Sequence, residues 1–143
     1  MRQLLKAWTI TTLYMLMSNN IIAQTDLDDK TATVNIIRQT GYSGSATGLK
    51  VFIDSAMLCK INTGKYLSIE VLPGVHTLSA QFYGSKPRKS GVPFQFDAEA
   101  GSTYYFMITQ SVHVASTEVF ISRLDENIGK QKMLEKSEDP DCR

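Results

Sequence analysis

Residues 51–82 read VFIDSAMLCKINTGKYLSIEVLPGVHTLSAQF. Apolar and polar side chains alternate through the second half of this stretch. Leu67, Ile69 and Val71 interleave with Ser68 and Glu70; His76, Leu78, Ala80 and Phe82 interleave with Thr77, Ser79 and Gln81. A period of two marks a strand with one buried face. Turn signals cut the stretch about every ten residues, the spacing of an all-β sandwich or barrel. They are Asp54-Ser55, Asn62-Thr63-Gly64 and Pro73-Gly74. Gly64 offers a positive φ, and Pro-Gly suits the centre of a type II turn. The pattern predicts strands at 49–53, 57–61, 66–72 and 75–83.

The same reading extends outward. Further strands are predicted at 33–38, 92–98, 103–109 and 116–123. The segment at 103–109 is apolar on both faces (Tyr104, Tyr105, Phe106, Met107, Ile108), which predicts a central, covered strand. Asp125-Glu126 then opens a helix with the right charge at its N-terminus. Ile128 and Leu134 are its expected buried contacts, and Gly129 inside it costs about 1 kcal/mol relative to Ala. From Glu135 the tail, EKSEDPDCR, reads as frayed. Strands and helices do not alternate, which argues against a parallel α/β fold. The expectation is an all-β, antiparallel, Ig-like sandwich of seven or eight strands over residues 31–124, followed by a short helix and polar tail at 125–143.

The first 23 residues, MRQLLKAWTITTLYMLMSNNIIA, read differently. Arg2 and Lys6 precede an apolar run at 7–17, polar Ser18, Asn19 and Asn20 end it, and Ala23 offers a small residue before Gln24. That is the layout of a cleaved secretory signal. The run is shorter than the roughly 20 residues a membrane span needs. Residues 24–30 form a polar lead-in. The expected location is periplasmic or extracellular. The first cysteine is Cys59, so an N-terminal lipid anchor is not expected.

The whole chain has 143 residues, with 15 Lys and Arg against 14 Asp and Glu. Removing the first 23 leaves 13 basic against 14 acidic side chains. A nucleic-acid binder that works by bulk charge needs a basic excess, and none is present.

The central stretch also resembles known families. A strand ending in Asp54, two short turns, and then Leu72-Pro73-Gly74-Val75-His76-Thr77-Leu78 resemble the PEGA-type envelope domains. The likeness is closer to a bacterial family catalogued only as domain of unknown function 2846. The Gly-rich segment before residue 48, the run Ala100-Gly101-Ser102-Thr103-Tyr104-Tyr105 and the late Leu124-Asp125-Glu126 agree with that family. The resemblance implies a small sandwich on an exported protein and supplies no activity.

His76 falls on the inward phase of its strand, beside Leu78. It is read as a core histidine whose ring nitrogens bond backbone or a hydroxyl. A catalytic base working with a carboxylate is the alternative. His113 is read as a loop or strand-edge residue. Two histidines without ligand spacing do not make a zinc site, so no metal or cofactor is expected. Cys59 shares its predicted strand face with Met57 and Ile61. It is read as a buried thiol, with Cys142 in the mobile tail; a disulfide between the two is the alternative. Lys86, Arg88 and Lys89, with neighbouring Tyr83 and with Tyr42 in the other Gly-rich loop, are the candidate contacts for an anionic or glycan partner. Taken together, the residues favour a non-catalytic exported module that binds an envelope protein or glycan. A hydrolase using His76 is the alternative.

Overall fold

The computed structural model describes residues 30–39, 47–84, 93–112 and 117–142. Two β-sheets face each other. The strands are β1 (Ala32–Arg38), β2 (Leu49–Ile53), β3 (Ala56–Ile61), β4 (Lys65–Val71), β5 (Gly74–Gln81), β6 (Phe94–Ala98), β7 (Thr103–Val112) and β8 (Thr117–Leu124). A helix, α1 (Glu126–Leu134), and a two-residue β9 (Ser137–Glu138) follow, ending in a 3-10 turn at Pro140–Cys142. One sheet runs β8-β7-β1-β4-β9 and the other β3-β2-β5-β6. The protein is an all-β sandwich with one short helix near its C-terminus.

The alternation sets the core. Val34 and Ile36 of β1, Leu49, Val51 and Ile53 of β2, Leu67 and Val71 of β4, Leu78 of β5 and Phe106 and Ile108 of β7 interlock between the sheets. Phe106 lies at the centre of an aromatic group, 4.8 Å from the Phe96 ring and 5.3 Å from that of Phe94. Edge and tilted contacts of this kind add to the area they bury. The doubly apolar β7 is covered on both faces. Tyr104, Phe106 and Ile108 point into the core, and Tyr105 is buried beneath α1.

Most neighbouring strands are antiparallel, as expected, but two pairs are not. β1 lies beside β7 in parallel, with Thr33 opposite Thr103, and β9 lies parallel to β4. The Pro73-Gly74 step also differs from a type II turn. Gly74 has φ 135° and already belongs to β5. The chain here passes from one sheet to the other, so the step is a corner. Asp54 and Ser55, at φ 49° and 70°, form the expected tight turn, both centres left-handed as a two-residue hairpin requires.

Three expectations about packing are corrected. A bulge shifts the β2–β3 register between Val51 and Phe52. The extra residue puts Met57 opposite Phe52 and out of phase with Cys59, leaving Met57 exposed. In α1, Ile128 and Leu134 are exposed, and the buried residue is Gly129. A Cβ on Gly129 would sit 2.2 Å from Tyr105 Cγ and 2.5 Å from its Cβ. Glycine lets the helix backbone rest on the ring, so contact runs through the missing side chain.

The tail is not frayed. Cys59 and Cys142 are joined in a disulfide, with Cα atoms 5.2 Å apart and 83 positions between them in sequence. The bulge has turned Cys59 inward at the edge of β3, and the tail returns along β4 to reach it. Asp139, fully buried, accepts the Asn62 backbone N–H at 2.6 Å, and its own N–H donates to the Tyr66 carbonyl at 2.8 Å. Lys65 donates to Ser137 Oγ at 2.7 Å. Arg38, also buried, donates from Nη1 to the Ile61 carbonyl at 2.8 Å. The β3–β4 turn is thereby held by Arg38 from β1 and by Asp139 from the tail.

Candidate functional site

At the opposite end of the sandwich, the left-handed turn after β2 swings the Asp54 carboxylate toward β5. Its Oδ1 accepts the Thr77 backbone N–H at 2.9 Å, and its Oδ2 meets His76 Nδ1 at 2.6 Å. The other ring nitrogen, Nε2, lies 2.7 Å from the Leu72 carbonyl at the sheet-crossing corner. A carbonyl can only accept, and so can an ionised carboxylate. Both ring nitrogens must therefore donate, so this geometry belongs to the imidazolium. The ring packs 5.7 Å from Phe96 at the rim of the core.

The titration shifts follow from these contacts. The His76 pKa is raised, first by its bond to the Leu72 carbonyl and then by Asp54, against partial burial; the Asp97 charge adds to the rise. For Asp54, desolvation is the largest influence and pushes the pKa up. The bonds from His76 and Thr77, with the His76 charge, together outweigh it and hold the carboxyl below its ordinary value. The Asp54 side chain is 49% exposed, so solvent screens the pair.

The sign of the pH dependence is fixed by these directions. His76 contributes stability that is full below its ordinary 6.5 and is lost as pH rises through its raised folded value. Asp54 contributes stability that is full above its ordinary 3.8 and is lost as pH falls through its lowered folded value. The clamp is complete between those ordinary values. Asp54→Asn is expected to cost about 1–2 kcal/mol near pH 5.5 and to flatten the decline toward pH 9. Urea unfolding of both proteins across that range checks this. Parallel curves would show that the clamp does not titrate.

Beside the clamp lies an open polar cleft of about 590 Å³, lined by Asp97, Glu99, Tyr104, Arg123 and Glu126 together with residues 101–103. The Arg123 guanidinium stands 4.8 Å above the Tyr104 ring, and the Tyr104 hydroxyl accepts the Glu99 N–H at 3.0 Å. Three carboxylates against one guanidinium make the cleft acidic. Among the described residues, no group of three His, Cys, Asp or Glu side chains is placed to hold a metal ion. No helix among them is long and apolar enough to cross a membrane.

Only some sequence candidates fall in the described residues. His76 sits where its phase put it, with one ring nitrogen on backbone as the core-histidine reading expected and the other on a carboxylate, the partner type named in the alternative reading. Tyr83 is exposed and its ring lies 6.4 Å from that of Phe82. It is at the far end of β5 from His76, about 20 Å by strand rise, so the structure does not join it to the clamp. Tyr42, Lys86, Arg88, Lys89 and His113 lie outside the described residues. Sequence reasoning missed Asp54 as the histidine's partner and missed the cleft altogether. The available signal for Asp54 was its position as the first residue of a two-residue hairpin. Residues 97–104, 123 and 126 are brought together by tertiary structure and carry no local motif. No protein-family model and no curated protein matches the chain.

Proposed function

We propose that this chain is an exported, non-catalytic binding or interaction module of a cell envelope, periplasmic or extracellular. The observation that carries the reading is the Cys59–Cys142 disulfide. Such bonds persist in oxidising compartments and are reduced in most cytosols. The signal-like layout of residues 1–23 and the likeness of residues 51–82 to the PEGA-type and domain of unknown function 2846 families point the same way. The contact surface is proposed to be a loop or sheet edge, with a protein or glycan as partner. Exposed Tyr83, together with Tyr42, Lys86, Arg88 and Lys89, provides the candidate side chains.

One observation favours a second reading, a hydrolase-type enzyme using His76. The Asp54–His76 contact of 2.6 Å matches the orienting half of an acid–base pair. Against it, Nε2 is already committed to the Leu72 carbonyl, so neither ring nitrogen faces a substrate. The test is a crosslinked pull-down of the tagged full chain from its native envelope, read by mass spectrometry, with alkylation of the compartment fractions to report the disulfide. A dominant partner and an oxidised envelope pool are expected. A reduced, cytosolic pool would overturn the export reading. A phenotype abolished by His76→Ala in a fully folded protein would favour the enzyme.

A further inference from the structure

We infer that the C-terminal segment at 135–142 is a dithiol-releasable cover over the β3–β4 turn and the free edge of β4, which opens while the sandwich stays folded. Two independent features place it there. The disulfide fixes one end on β3, and β9 adds to β4 through only two register pairs, Lys65 with Ser137 and Tyr66 with Glu138. The remaining anchors are polar: Asp139 on Asn62 and Tyr66, Asp141 Oδ2 accepting from Asn62 Nδ2 at 3.3 Å, and Lys65 on Ser137.

The segment, EKSEDPDC, contains no large apolar side chain to bury. Ordering its backbone costs conformational entropy at every residue. Asp139 is buried, but the other polar anchors are exposed and return little of that cost, because water replaces them. The covalent tie therefore decides whether the cover stays down. The core strands draw chiefly on a different source, the buried cluster between the sheets, and stay folded when the tie is cut.

The release step is thiol–disulfide exchange with a dithiol. Cys59 is 8% exposed, whereas Cys142 is partly open to solvent. A dithiol's thiolate attacks Cys142 Sγ; the protein's S–S bond breaks, and Cys59 leaves as a thiolate and takes up a proton. The second dithiol sulfur then displaces Cys142, which is protonated in turn. Two electrons pass to the protein's sulfurs, and the dithiol ends as a disulfide. The opening bares the ladder groups at Lys65 and Tyr66 that β9 covers.

Hydrogen exchange by mass spectrometry on the full chain tests this, oxidised against dithiothreitol-reduced, with Cys142→Ser as a reductant-free control. Exchange is expected to quicken by about tenfold or more at the amides of Asn62, Asp139, Asp141 and Cys142. The amides of β1 and β7 should remain far slower than these four, because the lost loop constraint lowers their protection but leaves the strands folded. Unchanged protection at the four amides would show that the segment holds itself without the bond. Exchange throughout β1 and β7 as fast as at these four amides would show that the disulfide supports the whole sandwich. Either result overturns the inference.

Discussion

Replacing both cysteines, Cys59→Ala with Cys142→Ala, is expected to lower the unfolding free energy by about 2–4 kcal/mol. The tie closes a long loop, 83 positions in sequence, and for a loop near that length the chain-entropy model gives about 4–5 kcal/mol. The effect should fall below that ceiling, because denatured chains are more compact than random coils. The double variant should still fold, since β1 to β8 bury their core without the tail. Denaturant titration with circular dichroism measures both statements. A loss below about 1 kcal/mol would mean that the bond constrains little in the unfolded chain. A variant without β signal would mean that the eight strands cannot stand alone.

Gly129→Ala is expected to destabilise by about 1–3 kcal/mol, the usual cost of forcing extra volume into a filled site. On helix propensity alone the change would stabilise by about 1 kcal/mol, so the two arguments predict opposite signs. Geometry decides between them. The new methyl would meet Tyr105 at its Cβ and Cγ, 2.5 and 2.2 Å away. Those atoms are at the root of the side chain and cannot swing aside without moving β7. Tyr105 is itself 5% exposed, beneath the helix. Thermal unfolding of the single variant settles the sign. A raised midpoint would show that α1 can lift off the sheet at no cost. Tyr105→Ala paired with Gly129→Ala should recover part of the loss, which separates a steric clash from a backbone effect.

How far the sequence reveals this molecule depends on the range of the cause. β2 was predicted at its observed limits, 49–53, because the Leu49, Val51 and Ile53 alternation is local and a tight turn bounds it. The double apolar face of β7 correctly implied cover on both sides, since no exposed strand would carry Tyr105 and Met107 opposite Phe106. What covers it was misread. Ile128 and Leu134 were natural choices for a helix contact, yet a closer approach through Gly129 excludes both from the interface. The tail's composition is that of a frayed end, and its order comes from a covalent bond to residue 59 and from Asp139, neither of which local pattern reports. The site divides in the same way. The phase of His76 was legible from its own strand, but its partner Asp54 lies on another hairpin. The cleft draws on β6, β7, β8 and α1 together.

The parallel pairing of β1 with β7 has a consequence for how the chain comes to be. β1 is the first strand among the described residues and an interior strand of its sheet, with β4 on one side and β7 on the other. Thr33 must wait for Thr103, about seventy residues later, before its second flank is closed. During synthesis from the N-terminus, Ile36 and Ile37 therefore stand on an open edge until nearly the whole sandwich has emerged. An intermediate ending after β6 presents that edge to any other extended chain. The sandwich thus completes its earliest strand almost last, and its most exposed moment precedes its native state.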